Sequence, residues 1–438
     1  MNGLQKPAWP AFLLLHGFLL FTAAVCFFRM NLQPLMTEAF YLLLLIWVLT
    51  LSFPHRSRLL PLTTFDGFFT GFIILVIASL FLHGNLEAGQ DKYATYLPFM
   101  AAIPYLCGRL MRRQDVILLS QIVVFAGIGV FALAVLDRTI SPDSDSVRWP
   151  FFGMAHGTLL VGDLLAATLL MLCVRWACMC ANECRMRKNV LHYSAIGIIA
   201  AFLVWISARG CLVVVLVGMG VLLLVNFRFR RMRGRYLCLF GFVAVVVSFT
   251  LLLIPHPSRQ FYAGLLLKPQ IEFSGQVNKH NGISAYGPIL GKDSCQLLEK
   301  NIDSIAIRWV LYQEAMAMFM QKPILGVGAA RFGLRSCSGP LGFPHSTILQ
   351  AFAELGLVGG GLLLALLALV GFKLVGRIVS AGPDKVQPAD AYALVLFTIY
   401  LMTDQFYGNY FMSAGTYLIA GVAAGLDSEE KTRDLVHA

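Results

Sequence analysis

Residues 357–376 have the sequence LVGGGLLLALLALVGFKLVG, an apolar stretch with one charged residue, Lys373. About 20 apolar residues are enough for an α-helix to cross the hydrocarbon core of a bilayer. Within hydrocarbon the chain must satisfy its own backbone N–H and C=O groups, so a continuous stretch of this kind predicts a transmembrane helix. This stretch decides the class of fold, which is an integral membrane protein built from helices.

The composition extends this prediction to the whole chain. Of the 438 residues, 58% are hydrophobic and 13% are charged, and the mean hydropathy is +0.74. Soluble domains carry about 25% charged residues, so the composition argues against a soluble enzyme, and it also excludes a disordered chain. We predict an all-α polytopic membrane protein.

Apolar stretches recur along the chain and predict about twelve transmembrane helices. They lie at residues 11–28, 38–53, 66–83, 95–108, 116–135, 152–174, 190–207, 210–226, 236–254, 357–376, 389–404 and 411–425. This division gives spans one to nine in residues 1–254, an extracytoplasmic segment at 255–356, and spans ten to twelve with a tail at 357–438.

The basic residues orient these spans. Most Lys and Arg residues fall in the short segments on one side, whereas the opposite short loops carry Arg29, Lys92, Arg138, Arg148 and Arg209. Because cytoplasmic loops are enriched in Lys and Arg, we predict that both termini are cytoplasmic. The net charge of +11 then reflects topology and contact with anionic membrane lipids, and we predict no nucleic-acid partner.

The extracytoplasmic segment contains two predicted helices and two of the ten cysteines. Apolar residues at helical spacing predict a helix from Ile307 to Gln321, ended by Lys322-Pro323, with a turn at Gly326 and Gly328 and a second helix from near Pro344. Cys295 and Cys337 are the cysteines of this segment. An oxidising compartment favours their pairing, so we predict a disulfide.

A longer motif begins at His345. His345 and Ser346 are followed by nine residues and then by Gly356, Gly359 and Gly360. This pattern resembles the H-[NSQ]-x9-G-x-x-G-[GTS] signature of the bacterial O-antigen ligase and polymerase family, and most closely its ligases.

Two further stretches resemble the same family in the expected order. One is Ser207-Ala-Arg209-Gly, at an outer turn between spans seven and eight. The other runs from Arg308-Trp to Pro323-Ile-Leu-Gly-Val-Gly328. The family's R-x3-L element has Leu where this chain has Tyr312, which makes the assignment of Arg308 less secure than that of His345.

The resemblance implies a glycosyltransferase with its active site at the periplasmic face of the bacterial inner membrane. The donor would be a polysaccharide on undecaprenyl diphosphate, and the acceptor would be the lipid A-core oligosaccharide. No nucleotide is required, because the diphosphate is already an activated leaving group, and we expect no cofactor and no metal.

The resemblance also implies roles for individual residues. His345 would act as general base on the acceptor hydroxyl, since an ordinary imidazole is largely neutral near pH 7. Arg209 and Arg308 would bind the diphosphate, because a guanidinium grips phosphate oxygens in pairs. Arg148 either helps to hold the same headgroup or anchors span six at the interface. Direct attack would invert the anomeric centre, because no carboxylate pair suggests a retaining mechanism.

Other functions remain open at this point. Within the family, the alternatives are an O-antigen polymerase and a protein O-oligosaccharyltransferase. From another class, a flippase or transporter for lipid-linked glycans is disfavoured, because the basic candidate residues lie at one face instead of within several spans. The large outer segment directly before the His345 motif favours the ligase.

The disulfide can be tested by mass spectrometry of the purified protein. We expect alkylation with prior reduction to label two more cysteines than alkylation of the denatured, unreduced protein, with Cys295 and Cys337 in the newly labelled peptides. Labelling of both peptides without reduction would contradict the pairing.

Overall fold

The computed structural model describes residues 62–82, 97–140, 157–179, 186–206, 209–226, 230–253, 304–337, 342–381, 387–406, 408–411 and 413–437. Every regular element in these ranges is helical, which confirms the predicted all-α fold. Predicted spans one and two, Arg148 and Cys295 lie outside the described residues.

The described helices follow the predicted spans closely. They are α1 Thr64–Leu82, α2 Ile103–Leu110 after a π-helical turn at Pro98–Ala102, α3 Arg113–Ile140, α4 Gly157–Met179, α5 Met186–Trp205, α6 Arg209–Val225, α7 Arg230–Leu253, α8 Ser304–Gln321, α9 Phe332–Arg335, α10 Thr347–Ala381, α11 Pro388–Phe406 and α12 Ala414–His437. Helices α1, α3, α7 and α10 are each long and apolar enough to cross a membrane. The count of twelve spans stays a prediction.

The chain forms two compact units. Unit 1 comprises residues 1–56, 110–268 and 372–399, and unit 2 comprises residues 57–109, 269–371 and 400–438. In unit 1, α3 and α4 pack closely: the Thr168 hydroxyl lies 3.3 Å from the Val123 carbonyl oxygen, and a Cβ on Gly127 would overlap Thr168. Such contacts through small residues are typical of helices in membranes, where no hydrophobic effect drives their association.

Unit 2 is built around α1, α2, α10 and α12. Helices α2 and α12 touch through their backbones, since a Cβ on Gly108 would overlap the Leu418 carbonyl oxygen and one on Gly421 would overlap that of Tyr105. Arg109 of α2 reaches Asp66 of α1 through two nitrogens, at 3.0 and 3.2 Å. This pair is nearly buried, and the Tyr105 hydroxyl donates to the same carboxylate at 2.9 Å.

Helices α1 and α10 run in opposite directions. Gly71 of α1 faces Leu362, and Leu75 faces Gly359. Predicted spans three and ten also cross the membrane in opposite directions, so the contact register agrees with the predicted alternation. Gly359 serves this contact, because its missing side chain leaves room for Leu75.

Helix α10 is broken at Gly356, where the backbone adopts φ 64° and ψ −161°. Residues 323–328 lie against the break and form main-chain hydrogen bonds with residues 353–358, which we call the Gly356 bridge. The N–H groups of Val327 and Gly328 donate to Ala353 and Glu354, at 3.0 and 2.9 Å, and the N–H of Leu357 donates to Pro323 at 2.7 Å. Because the break leaves these groups without intrahelical partners, the loop replaces the missing turn of the helix.

The Gly356 bridge requires glycine on both sides. Gly326 and Gly356 have positive φ values of 71° and 64°. A Cβ on Gly326 would overlap the Glu354 carbonyl, and one on Gly356 would overlap the carbonyl oxygen of Ile324. The predicted turn at Gly326 and Gly328 and the glycine of the His345 motif are therefore parts of one local structure.

A pair of glycine substitutions tests the Gly356 bridge. We expect Gly356→Ala to destabilise the protein by about 2 kcal/mol or more, because the new Cβ adds backbone strain and a main-chain clash. Thermal unfolding in detergent measures the change. The control is Gly361→Ala in the same helix, where a Cβ meets nothing within 4 Å, so stability should be unchanged or higher by up to about 1 kcal/mol. Equal unfolding temperatures for the two variants would contradict the role of the Gly356 bridge.

Candidate functional site

His345 directly precedes the first turn of α10, which begins near the predicted position at Pro344. It is half-buried, and its ring lies 4.6 Å from the ring of Phe343, centroid to centroid. Its backbone φ is +56°, in the left-handed region that residues other than glycine rarely adopt. Such a conformation persists only when its surroundings hold it.

Ser346 caps the helix that follows His345. Its hydroxyl oxygen accepts a hydrogen bond from the Leu349 N–H at 3.3 Å, which is the contact of an N-cap serine with the third helical residue. The same hydroxyl donates to Oε1 of Gln405 at 2.8 Å. The serine of the motif is thus explained by helix capping. Its two hydrogen bonds hold the backbone directly after His345.

Gln405, in the last turn of α11, is a residue of this site that the sequence analysis missed. Its Oε1 accepts from Ser346 and also lies 3.4 Å from the Ile348 N–H, and its main-chain oxygen accepts from the Tyr312 hydroxyl at 3.3 Å. One residue of α11 therefore contacts both α10 and α8. N-cap preferences point to Ser346 in the sequence, but nothing there points to its partner.

Arg308 lies on α8, which the sequence predicted to within three residues at its start. Its side chain is half-buried. Burial raises the pKa of Tyr312, one turn further along, above its ordinary value of 10, and the positive charge of Arg308 opposes this shift. Tyr312, which departs from the family's R-x3-L element, therefore lies near the Arg308 charge. Its hydroxyl links α8 to Gln405, and Gln405 in turn contacts Ser346.

The buried carboxylate of Glu354 holds the loop that leads into this site. Glu354 is 1% exposed and accepts from the N–H groups of Ala330 and Phe332, each at 2.9 Å, and from the Tyr410 hydroxyl at 2.5 Å. It therefore connects three segments of unit 2. Ala330 has a positive φ of 59°, and the contact with Glu354 helps to hold it.

Glu314 anchors the turn that carries Cys337. Its side chain is fully buried, and its two carboxylate oxygens accept from the Ser336 hydroxyl at 2.5 Å and from the Cys337 N–H at 2.9 Å. Cys337 is disulfide-bonded. Because Cys295 lies outside the described residues, its pairing with Cys337 stays a prediction.

Arg209 is the first residue of α6 in unit 1, and its side chain lies outside the described part of the structure. Two residues later, the Cys211 thiol lies 3.3 Å from a carboxylate oxygen of Asp163 on α4. The predicted meeting of Arg209 with His345 and Arg308 stays a prediction, as does the role of Arg148.

Unit 1 also contains an apolar cavity of about 380 Å³. It lies near the ends of α3, α5 and α7 that the predicted topology directs to the periplasmic side. Its lining residues are Phe131, Ile198, Ala201, Phe202, Trp205, Thr250 and Leu253. Such a surface suits a hydrocarbon chain and offers little to a polar ligand.

Across the described ranges, no group of three or more His, Cys, Asp or Glu side chains is arranged as a metal site. The described residues of this region offer the imidazole of His345, the guanidinium of Arg308, the buried carboxylates of Glu314 and Glu354, and neutral hydrogen-bonding groups. The metal-independence of the reaction stays a prediction.

Comparison with known proteins supports the family resemblance. Residues 194–364 match the family model described as O-antigen ligase. Among curated proteins and solved structures, none matches the chain. The matched region includes Arg209, Arg308 and His345, whereas Gln405 lies beyond its end. Over residues 194–364 the chain is therefore similar to O-antigen ligases.

The burial of Glu314 predicts a pH-dependent stability. Burial raises the pKa of Glu314 above its ordinary value of 4.5, although the hydrogen bonds from Ser336 and Cys337 oppose this shift. A raised folded-state pKa means that the stabilisation is full below about pH 4.5 and is lost as the pH rises through the raised value. We expect Glu314→Gln to become more stable relative to the wild type as the pH rises, because the amide does not ionise.

Apparent unfolding temperatures between pH 4.5 and 8 measure this difference. The same substitution at exposed Glu429 is the matched control, and its curve should run parallel to that of the wild type. Parallel curves for Glu314→Gln and the wild type would contradict the prediction.

Proposed function

We propose, from the O-antigen ligase family match over residues 194–364, that this chain is an O-antigen ligase. It would transfer polysaccharide from undecaprenyl diphosphate to a hydroxyl of the lipid A-core oligosaccharide, at the periplasmic face of the inner membrane. The observation that carries the proposal is the arrangement at the start of α10. There His345 is followed by a capping serine that is linked through Gln405 to the helix of Arg308.

In the proposed reaction, the acceptor hydroxyl attacks the anomeric carbon of the donor sugar. His345 takes the hydroxyl proton, the new glycosidic bond forms, and the bond between the anomeric carbon and the diphosphate oxygen breaks. The electron pair leaves with undecaprenyl diphosphate, and the configuration at the anomeric carbon inverts.

The diphosphate needs positive charge where its own negative charge develops. Arg308 supplies a guanidinium on α8, and Arg209 would supply a second one at the start of α6. Arginine suits this role because it remains protonated and can form two parallel hydrogen bonds to phosphate oxygens. Arg148 is a further candidate for holding the headgroup. No step in this mechanism requires a metal or a cofactor.

The isoprenoid chain of the donor needs an apolar surface beside its headgroup. The cavity of unit 1 lies just before Arg209 in the chain, since Trp205 is part of its lining and the last residue of α5. At about 380 Å³ it accommodates a portion of such a chain, and the surrounding lipid would accommodate the remainder. The apolar lining of this cavity suits an isoprenoid chain.

Replacement of His345 tests the proposed base. We expect His345→Ala to slow transfer by about 10²- to 10⁴-fold, which is the usual contribution of a general base. The assay uses purified protein with the undecaprenyl diphosphate-linked polysaccharide and lipid A-core. His192→Ala on α5 is the matched control and should retain activity. Normal transfer by His345→Ala would refute the proposed base, and loss of wild-type activity with EDTA would refute the metal-free reaction.

The glycan pools of cells that lack the protein separate ligase from polymerase. Loss of a ligase leaves long polymers on the lipid carrier and bare core on lipid A. Loss of a polymerase instead leaves single repeat units attached to the core, and transfer to a protein would point to the oligosaccharyltransferase alternative.

A further inference from the structure

Gln405 occupies the point where three helices of unit 2 meet. Its side chain accepts hydrogen bonds from Ser346 and Ile348 of the α10 start, and its main chain accepts one from Tyr312 of α8. The residue itself lies in the last turn of α11. It lies 59 residues after Ser346 and outside the region that matches the family.

We propose that Gln405 is a positioning residue for His345: its carboxamide holds Ser346, and thereby the left-handed backbone that presents the imidazole. This inference rests on the proposed function, because it assigns Gln405 to the site of the same glycosyl transfer. It also gives Tyr312 a purpose, since the Tyr312 hydroxyl ties the helix of Arg308 to the main chain of the same residue.

The backbone of His345 depends on its neighbours. Its φ of +56° is unfavourable for a residue with a Cβ and must be maintained by its neighbours. Ser346 follows directly, and its hydroxyl is engaged on two sides, as acceptor from Leu349 and as donor to Gln405. If Gln405 is replaced by an apolar residue, the serine loses its acceptor and the Ile348 N–H loses its contact. The turn can then relax towards an ordinary backbone conformation.

The nitrogen of the Gln405 carboxamide also bears on the role of this residue. Nε2 of Gln405 is buried and has no hydrogen-bond partner within the described residues. A buried donor without a partner costs free energy, so packing stability alone does not explain a glutamine here. An isosteric glutamate would keep an acceptor for Ser346 while adding one negative charge near His345.

Titratable and charged groups reach this region from each helix packed around it. Arg308 and Tyr312 come from α8, Asp404 comes from α11, and Glu354 lies further along α10. Asp404 accepts from the Thr416 hydroxyl, and Glu354 accepts from Tyr410 and two backbone N–H groups. These groups are the same in the wild type and in a Gln405 variant, so a change in the titration of His345 reports the new charge.

The test compares Gln405→Leu and Gln405→Glu in the full-length protein. We expect Gln405→Leu to lower kcat for transfer by about ten- to a hundredfold with little change in donor KM, because the base is misaligned and the donor still binds. We expect Gln405→Glu to move the acid limb of the kcat profile about half a pH unit higher, since a nearby carboxylate favours the protonated imidazole. Tyr312→Phe should lower kcat by about two- to fivefold.

The matched controls are Gln321→Leu and Gln321→Glu at the exposed end of α8, which should match the wild type. Apparent unfolding temperatures show whether the Gln405 variants fold. A purely structural role would reduce the kcat of Gln405→Leu only in proportion to the amount of folded protein. Either that result or unchanged kinetics in both Gln405 variants would overturn the inference.

A second measurement does not depend on activity. In protein labelled with ¹⁵N-histidine, the signal that is absent from His345→Ala identifies His345, and its titration should move upwards in Gln405→Glu but not in Gln321→Glu. A wild-type protein that fails to transfer glycan would refute the proposed function. An unmoved His345 titration would refute the positioning by Gln405, whether or not transfer is observed.

Discussion

The main-chain contact between residues 323–328 and the broken helix at Gly356 is the constraint on which the rest of unit 2 depends. A break within a helix leaves N–H and C=O groups without partners, and such groups are costly in a low-dielectric environment. The loop satisfies them through the Gly356 bridge. Glycine at 326 and 356 allows the two main chains to come that close. The helical segment from Thr347 to Leu355 is thereby separated from the rest of α10 by the break, and His345 lies just before this segment.

Two buried glutamates hold residues 330–337, which lie between α8 and the broken helix. Glu354 satisfies the loop that follows Gly328 and the hydroxyl of Tyr410, and Glu314 satisfies the turn at Ser336 and Cys337. In the structure, the described contacts of both carboxylates are with donors of their own unit. Their role is therefore to hold irregular backbone next to the site.

The sequence motif identifies only some of the residues in the candidate site. The His345 pattern identifies the histidine, and N-cap preferences explain the serine beside it. The pattern does not identify Gln405, because a glutamine near the end of a predicted span has no distinctive spacing and its partner lies 59 residues earlier. Tyr312 differs from Gln405, because the sequence comparison did draw attention to it. It departs from the family's element in sequence, yet its hydroxyl forms a link between α8 and α11 that a leucine cannot form.

The sequence by itself determined the class of fold and the approximate bounds of the described helices, and it led to the prediction of His345 as a site residue. Apolar length, helical spacing and local motifs are all encoded by residues close together in the chain. The tertiary structure decided the break at Gly356, the loop that closes it and the contact of Gln405 with the turn after His345. These features arise from residues far apart in the chain, because a buried backbone or carboxylate group accepts whichever donor the packing brings within hydrogen-bonding distance.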